Sequence, residues 1–242
     1  MNNIYQEKKV AIVQSNYIPW KGYFDLIASV DEFILYDDMQ YTRRDWRNRN
    51  QIKTPQGLQW LTIPVEVKGK YLQLIKDTKI SDSKWNKKHW ETIKFFYAKS
   101  AFFPEYQALF EELYLSCDEK YLSMINYRFL QVINDFLGIK TQVRFSSDFS
   151  LAQGRTERLI DLCKQMNATA YYTGLSAKNY IEDDFFDKEG IKLFYFDYSG
   201  YPEYPQLYLP FSHNVTILDL IFNTGKQARM YMKSFAHEPK NY

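Results

Sequence analysis

Cysteine is nearly absent from this 242-residue sequence: Cys117 and Cys163 are its only two. Both sit in helix-like sequence without CxxC spacing, which argues against a disulfide framework and fits unpaired thiols in a reducing compartment. Long apolar runs are missing as well. None approaches the roughly 18 residues of a membrane span, and the opening MNNIYQEKK has no signal-peptide core. The expected location is therefore cytoplasmic, with no membrane partner. The formal net charge is only +2, so no whole-protein field favours bulk nucleic acid, and anion recognition has to be local. The fingerprints GxGxxG, GxxxxGK[ST] and GxSxG do not occur, nor does an HxH or HExxH ligand set. No metal site is expected, and the cofactor stays unassigned.

Aromatic residues are plentiful, with 21 tyrosines, 18 phenylalanines and 5 tryptophans. Such rings pack through one edge and hydrogen-bond or stack through another. At this length the chain can bury a full core without a metal or disulfide staple, and a single domain over 1–242 is expected. Residues 8–14 form a β-branched run, followed by the turn-like SNYIP and an amphipathic stretch with Tyr23, Phe24, Ile27 and Val30 on one face. Residues 33–38 return as a second strand, and 59–65 read as a strand near a sheet edge because of Pro64. A helical insertion at about 84–137 separates α/β core segments 8–65 and 139–225. It ends with a strong stripe through Ile125, Phe129 and Phe136 before Gly138. Strands at 139–145, 169–173 and 191–196 then alternate with helices, before a last helix near 215–223 and a polar tail from about 233. The predicted class is α/β: a mainly parallel, Rossmann-like sheet flanked by helices, with a helical middle segment.

Three stretches are suited to ligand chemistry. The loop after the first strand offers Gln14, Asn16, Tyr17, Trp20 and Tyr23, where open α/β sheets bind ligands, with Pro19 suited to a first helical turn. After the second strand come Asp37, Asp38, Gln40, Tyr41, Arg44, Asp45, Trp46, Arg47, Asn48 and Arg49. Guanidinium forks match phosphate oxygens there, and the interleaved rings offer flat faces to a base or sugar. The third stretch, Gly174, Ser176, Lys178 and Tyr180, leads from a strand into a helix start. For proton transfer the candidates are the Asp37/Asp38 pair and His89, the one histidine embedded among rings and polar groups. Against these stand plainer readings: a capping loop, a solvated charged loop and a structural histidine.

The motifs QSNYIPWKGYFDLI, YDDMQYTRRDWRNRN, IKTPQGLQWLTIPV, KHW, YYTGLSAKNYI, YPQL and ILDLIFNTG, taken in order, resemble the WbqC-like family of bacteria. The resemblance spans nearly the whole chain and adds Gln206 to the candidate ligand-binding residues. It implies a step in O-antigen or related surface-polysaccharide biosynthesis, on an activated sugar in the cytosol. The strand-loop-helix opening with a later Ser/Lys loop also looks like the two-loop plan of class I aminoacyl-tRNA synthetases and nucleotidylyltransferases, although their histidine pair is lacking.

Three functions remain open from the sequence. One is an enzyme that modifies a nucleotide-linked amino sugar by acyl or aminoacyl (glycyl) transfer, with an aminoacyl-tRNA as a conceivable donor. The second is nucleotidyl transfer or another nucleotide-dependent step, and the third is a non-catalytic RNA- or saccharide-binding module.

Overall fold

The computed structural model describes residues 7–179 and 181–236. Strand β1 (Lys9–Val13) runs through loop 14–20 into helix α1 (Lys21–Ala28) and back to strand β2 (Glu32–Leu35). A hairpin follows, β3 (Arg49–Thr54) and β4 (Gly57–Thr62), and then helices α2 (Trp85–Tyr97), α3 (Phe103–Leu115) and α4 (Leu122–Leu137). The alternation resumes with β5 (Gln142–Phe145), α5 (Thr156–Gln165), β6 (Ala170–Gly174), α6 (Asp183–Lys188), β7 (Lys192–Phe196) and α7 (Ile217–Thr224).

Five strands pair in the order β5-β2-β1-β6-β7, all parallel, which gives a Rossmann-like α/β sheet. Alternate side chains of the central strands serve two cores. Ala11, Phe33 and Leu35 face the large core built with α1, the helical insertion and α7, whereas Val10, Ile12 and Ile34 face α5 and α6. Helix α4 carries much of the large core. Leu122, Ile125, Phe129, Ile133 and Leu137 recur at helical spacing and are buried, each contributing about 1.5–3 kcal/mol by the usual transfer scale. The helix stops at Gly138, whose φ of 73° is left-handed and suits glycine.

Three expectations change. The second strand ends at Leu35, and the segment read as an edge strand over 59–65 is β4, paired antiparallel with β3 in a separate two-stranded sheet. The turn Thr54-Pro55-Gln56-Gly57 makes the hairpin possible, since Gly57 has a φ of 109°. The tail expected from 233 is docked as far as 236: the backbone N–H groups of Lys233 and Ser234 donate to the buried Asp25 at 3.1 and 2.8 Å. Among the described residues no helix is long and apolar enough to cross a membrane.

Candidate functional site

From β1 the chain order moves outward through β2 to β5 on one side and through β6 to β7 on the other. Between β1 and β6 the direction of winding therefore reverses, which leaves a crevice at the carboxyl ends of those strands. A cleft of about 970 Å³ lies there. Gln14 and Asn16 line it from the first loop, Trp20 and Tyr23 from the start of α1, and Trp46 and Arg47 from the segment after β2. Opposite stand Thr173, Gly174 and Ser176 at the end of β6, with Gly154, Arg155 and Arg158 at the start of α5. Tyr36, Tyr171 and Tyr198 complete its aromatic wall.

The loops meeting here are pinned from below by polar residues in otherwise apolar elements. Ser123 and Asn126 stand on the buried face of α4. Asn126 Nδ2 donates to Ser15 Oγ and to the Arg47 carbonyl, each at 2.9 Å. Ser123 Oγ donates to Asp37, whose other oxygen accepts the Ser15 N–H at 2.8 Å. The Tyr17 N–H donates to the Trp46 carbonyl at 3.0 Å, which ties the first loop to the second. Asn50 Nδ2 donates to the carbonyls of Tyr17 and Ile18 at 3.1 and 2.9 Å. These ties hold Ile18 at a φ of 36°, a conformation costing a β-branched residue about 1–3 kcal/mol. Gly22 is required one step further on, because a Cβ there would fall inside the Trp20 indole that lies back over the start of α1.

Charge in the cleft is one-sided. Arg47, Arg155 and Arg158 line it, and no carboxylate or histidine does among the described residues. Arg47 Nη1 donates to Asn16 Oδ1, and Nη2 lies 3.7 Å from Asp45. Its buried Nε has no protein partner. Arg158 Nε donates to the Ala152 carbonyl at 2.8 Å, which orients its guanidinium. The phenols of Tyr23 and Tyr198 stay protonated at neutral pH. Burial, helped by the nearby Asp37, holds Tyr23 well above the usual phenol range, and burial with Asp25 pushes Tyr198 up to about 12. The cleft thus presents cations, neutral hydroxyls and ring faces.

Several candidates from the sequence stand elsewhere. His89 is buried against Tyr17 and Trp85, with Nδ1 2.9 Å from the Tyr17 hydroxyl and Nε2 3.1 Å from the Thr62 carbonyl. It does not line the cleft, and burial lowers its pKa to about 4. Histidine in this place is neutral and structural, so a role in proton transfer is not carried forward. Tyr17 is fully buried between His89 and Tyr114. Asp37 is buried behind the first loop with its pKa raised by desolvation, and Asp38 pairs with Lys76 while accepting from Ser146 Oγ at 2.7 Å. Neither aspartate lines the cleft.

Arg44 is exposed, Arg49 lies 4.0 Å over the Trp60 ring, and Asn48 donates to the Ile63 carbonyl. Gln40 donates to the Tyr71 carbonyl, Tyr41 is buried in the large core, and Asp45 accepts from Thr42 Oγ1 and the Trp46 N–H. Lys178 stacks 4.8 Å over Tyr195, and Gln206 donates to Asp219 at 2.8 Å. Tyr180 lies outside the described residues. Arg155, Arg158, Tyr36 and Tyr198 line the cleft without having been candidates from the sequence, where no motif marks them. Among the described residues no three His, Cys, Asp or Glu side chains gather as a metal-binding group.

A family model described as the WbqC-like protein family matches residues 14–231. A protein of Mycobacterium tuberculosis described as uncharacterized protein Rv1507c is 53% identical over 226 residues, covering 93% of this chain and 98% of that protein. No solved structure matches.

Proposed function

We propose that this chain, which belongs to the WbqC-like protein family, is a cytoplasmic enzyme that binds a nucleotide-linked amino sugar in the cleft and transfers an acyl or aminoacyl group to the sugar amine. The observation that carries this reading is the cleft's composition at the reversal point of the sheet: among the described residues, three guanidinium groups, six aromatic rings and no carboxylate. Guanidinium forks complement a diphosphate, and the rings complement a base. A cleft without acidic side chains favours a doubly anionic ligand over a cationic one.

Arg47 is the central phosphate ligand in this reading, because it lines the cleft from the first-loop side and Asn16 and Asp45 hold its head in place. Arg155 and Arg158 meet the ligand from the α5 side. Asp37 and Asp38 hold the loops from outside the cleft. The rate gain comes from bringing amine and acyl carbonyl together and from donors aimed at the developing oxyanion: Arg47, Ser176 and the neutral phenols. The acyl donor is an activated ester, for which an aminoacyl-tRNA is the candidate. The step in surface-polysaccharide biosynthesis that the sequence resemblance implies agrees with a sugar acceptor.

Calorimetric titration tests the reading. Nucleotide sugars are expected to bind the wild-type chain and to bind Arg47→Ala about 30–150-fold more weakly, the equivalent of about 2–3 kcal/mol for a charged hydrogen-bonded contact. Absence of binding by any nucleotide sugar would return the cleft to an unassigned cavity.

A further inference from the structure

A second, smaller groove opens beside the main cleft. It holds about 190 Å³ and is lined by Asn16, Trp20, Trp46, Asn50, Asn214 and Val215. Asn16, Trp20 and Trp46 also line the main cleft, so the two spaces meet across them. We propose that this groove is a separate binding site for a single uncharged sugar ring, and that it presents the ring's amine in its unprotonated form.

The lining argues for the class of ligand. No charged side chain belongs to it, and the polar groups are amides. With the Asn50 amide and Asn16 Oδ1 engaged within the protein, the Asn214 amide and Asn16 Nδ2 are the groups that can meet sugar hydroxyls, which donate and accept at once. Two indoles supply flat apolar faces for the C–H side of the ring, and Trp46 is 42% exposed, open to such a contact. At roughly 30 Å³ per water, the groove equals about six waters, room for one ring and too little for a base with its ribose.

The groove is also preformed. Asn50 is held by the backbone, donating to Tyr17 and Ile18 and accepting the Gln51 N–H at 2.8 Å. The segment carrying Asn214 and Val215 is tied down by Thr216 N–H to the Gln51 carbonyl at 2.8 Å and by Ile217 N–H to the Pro19 carbonyl at 2.9 Å. The Asn214 amide is exposed and makes no side-chain hydrogen bond among the described residues, so it is available to a ligand.

Position links the groove to chemistry. Asn16, at the junction, accepts from Arg47. Resting on the reading of Arg47 as the diphosphate ligand, a sugar attached to that diphosphate extends into the groove. With no carboxylate there and a guanidinium at its mouth, an ammonium is disfavoured relative to the free amine. The free amine is the nucleophile that acyl transfer needs: its C–N bond to the acyl carbon forms, the ester C–O bond to the donor breaks, and the proton lost from nitrogen passes to the departing donor oxygen.

Calorimetry with the full chain compares uridine, thymidine, guanosine and cytidine diphosphates with their glucose- and glucosamine-linked forms. At least one sugar-linked form is expected to bind about tenfold tighter than its parent diphosphate, the gain of one or two net hydrogen bonds. Asn214→Trp, which fills the groove from an exposed position, removes that gain and leaves diphosphate affinity unchanged, and Asn214→Ala removes part of it. Equal affinity of every pair in the wild type, or an undiminished gain in Asn214→Trp, overturns the proposal. A second arm uses saturation-transfer NMR with methyl glucoside and methyl glucosaminide alone. Signals that vanish in Asn214→Trp support the groove even when no nucleotide binds, in which case only the cleft reading falls. Failure of both glycosides and of every nucleotide sugar to bind overturns both.

Discussion

Along the cleft, Asn16, Trp20, Trp46 and Arg47 turn toward open space, whereas Tyr17, Asp37, Asn48 and His89, drawn from the same or neighbouring motifs, point into protein and meet partners there. A second buried set lies farther back. Asp219, raised in pKa by burial, accepts from Tyr97 at 2.8 Å, Tyr204 at 2.7 Å and Gln206 at 2.8 Å. Residue type does not separate the two regions, since both contain tyrosines, amides and charged groups. Satisfaction does. Tyr17, Asp37, His89 and Asp219 have their side-chain partners inside the fold, as low dielectric demands, although Asn48 Oδ1 has none. In the cleft, the exposed face of Trp46 is left for something else, and Arg47 Nε is buried without a protein partner. The buried set should therefore govern stability and the cleft set affinity, and substitutions can break that division.

The largest effect is expected at Asp219→Ala, which leaves two phenols and an amide facing a void. Stability should fall by about 3–5 kcal/mol in urea denaturation, while the folded protein keeps its ligand affinity. Next is Arg47→Ala, with about 2–3 kcal/mol lost in nucleotide binding and little change in melting temperature. The exposed Arg44→Ala should stay within about 0.5 kcal/mol in both measurements. A drop in affinity at Asp219→Ala, or in stability alone at Arg47→Ala, would reverse the assignment of regions.

His89 gives a pH signature. Its folded pKa of about 4 lies below the unfolded 6.5, so the unfolded chain binds the extra proton first. Its contribution is present above pH 6.5 and is lost as pH falls toward 4, at up to about 1.4 kcal/mol per pH unit. Buried Asp37 and Asp219, whose pKa values are raised, act in the opposite direction as pH falls. Stability curves of wild type and His89→Gln from pH 7 to 4 isolate the histidine, and parallel curves would show that it is not buried neutral. The smallest of the buried-set effects is Tyr17→Phe, about 1 kcal/mol from the loss of one hydroxyl between His89 and Tyr114.

Much of this was legible in the sequence where a local pattern decides it. The run Lys9–Val13, the stripe of α4 and its stop at Gly138 are local signals, and each is an element of the fold. The first-strand loop and the Gly174 loop come together because both leave carboxyl ends of adjacent parallel strands. The hairpin was obscured because Arg49 and Lys53 made β3 read as a charged loop, although TPQG carried a turn signal. Arg155 and Arg158 were illegible for a different reason. Which helix start faces β1 depends on the order β5-β2-β1-β6-β7, a non-local property. His89 misled because a histidine among tryptophans looks the same whether its ring meets solvent or carbonyls.

In the proposed function Arg47, and not the basic surface around it, receives the anionic ligand. Nitrogen-15 NMR of arginine side chains reads this directly, since the buried Nε of Arg47 has no protein partner. On titration with a nucleoside diphosphate, the Arg47 Nε–H resonance should shift and saturate while those of exposed Arg43 and Arg44 stay in place. A titration in which Arg43 and Arg44 move and Arg47 does not would contradict the account.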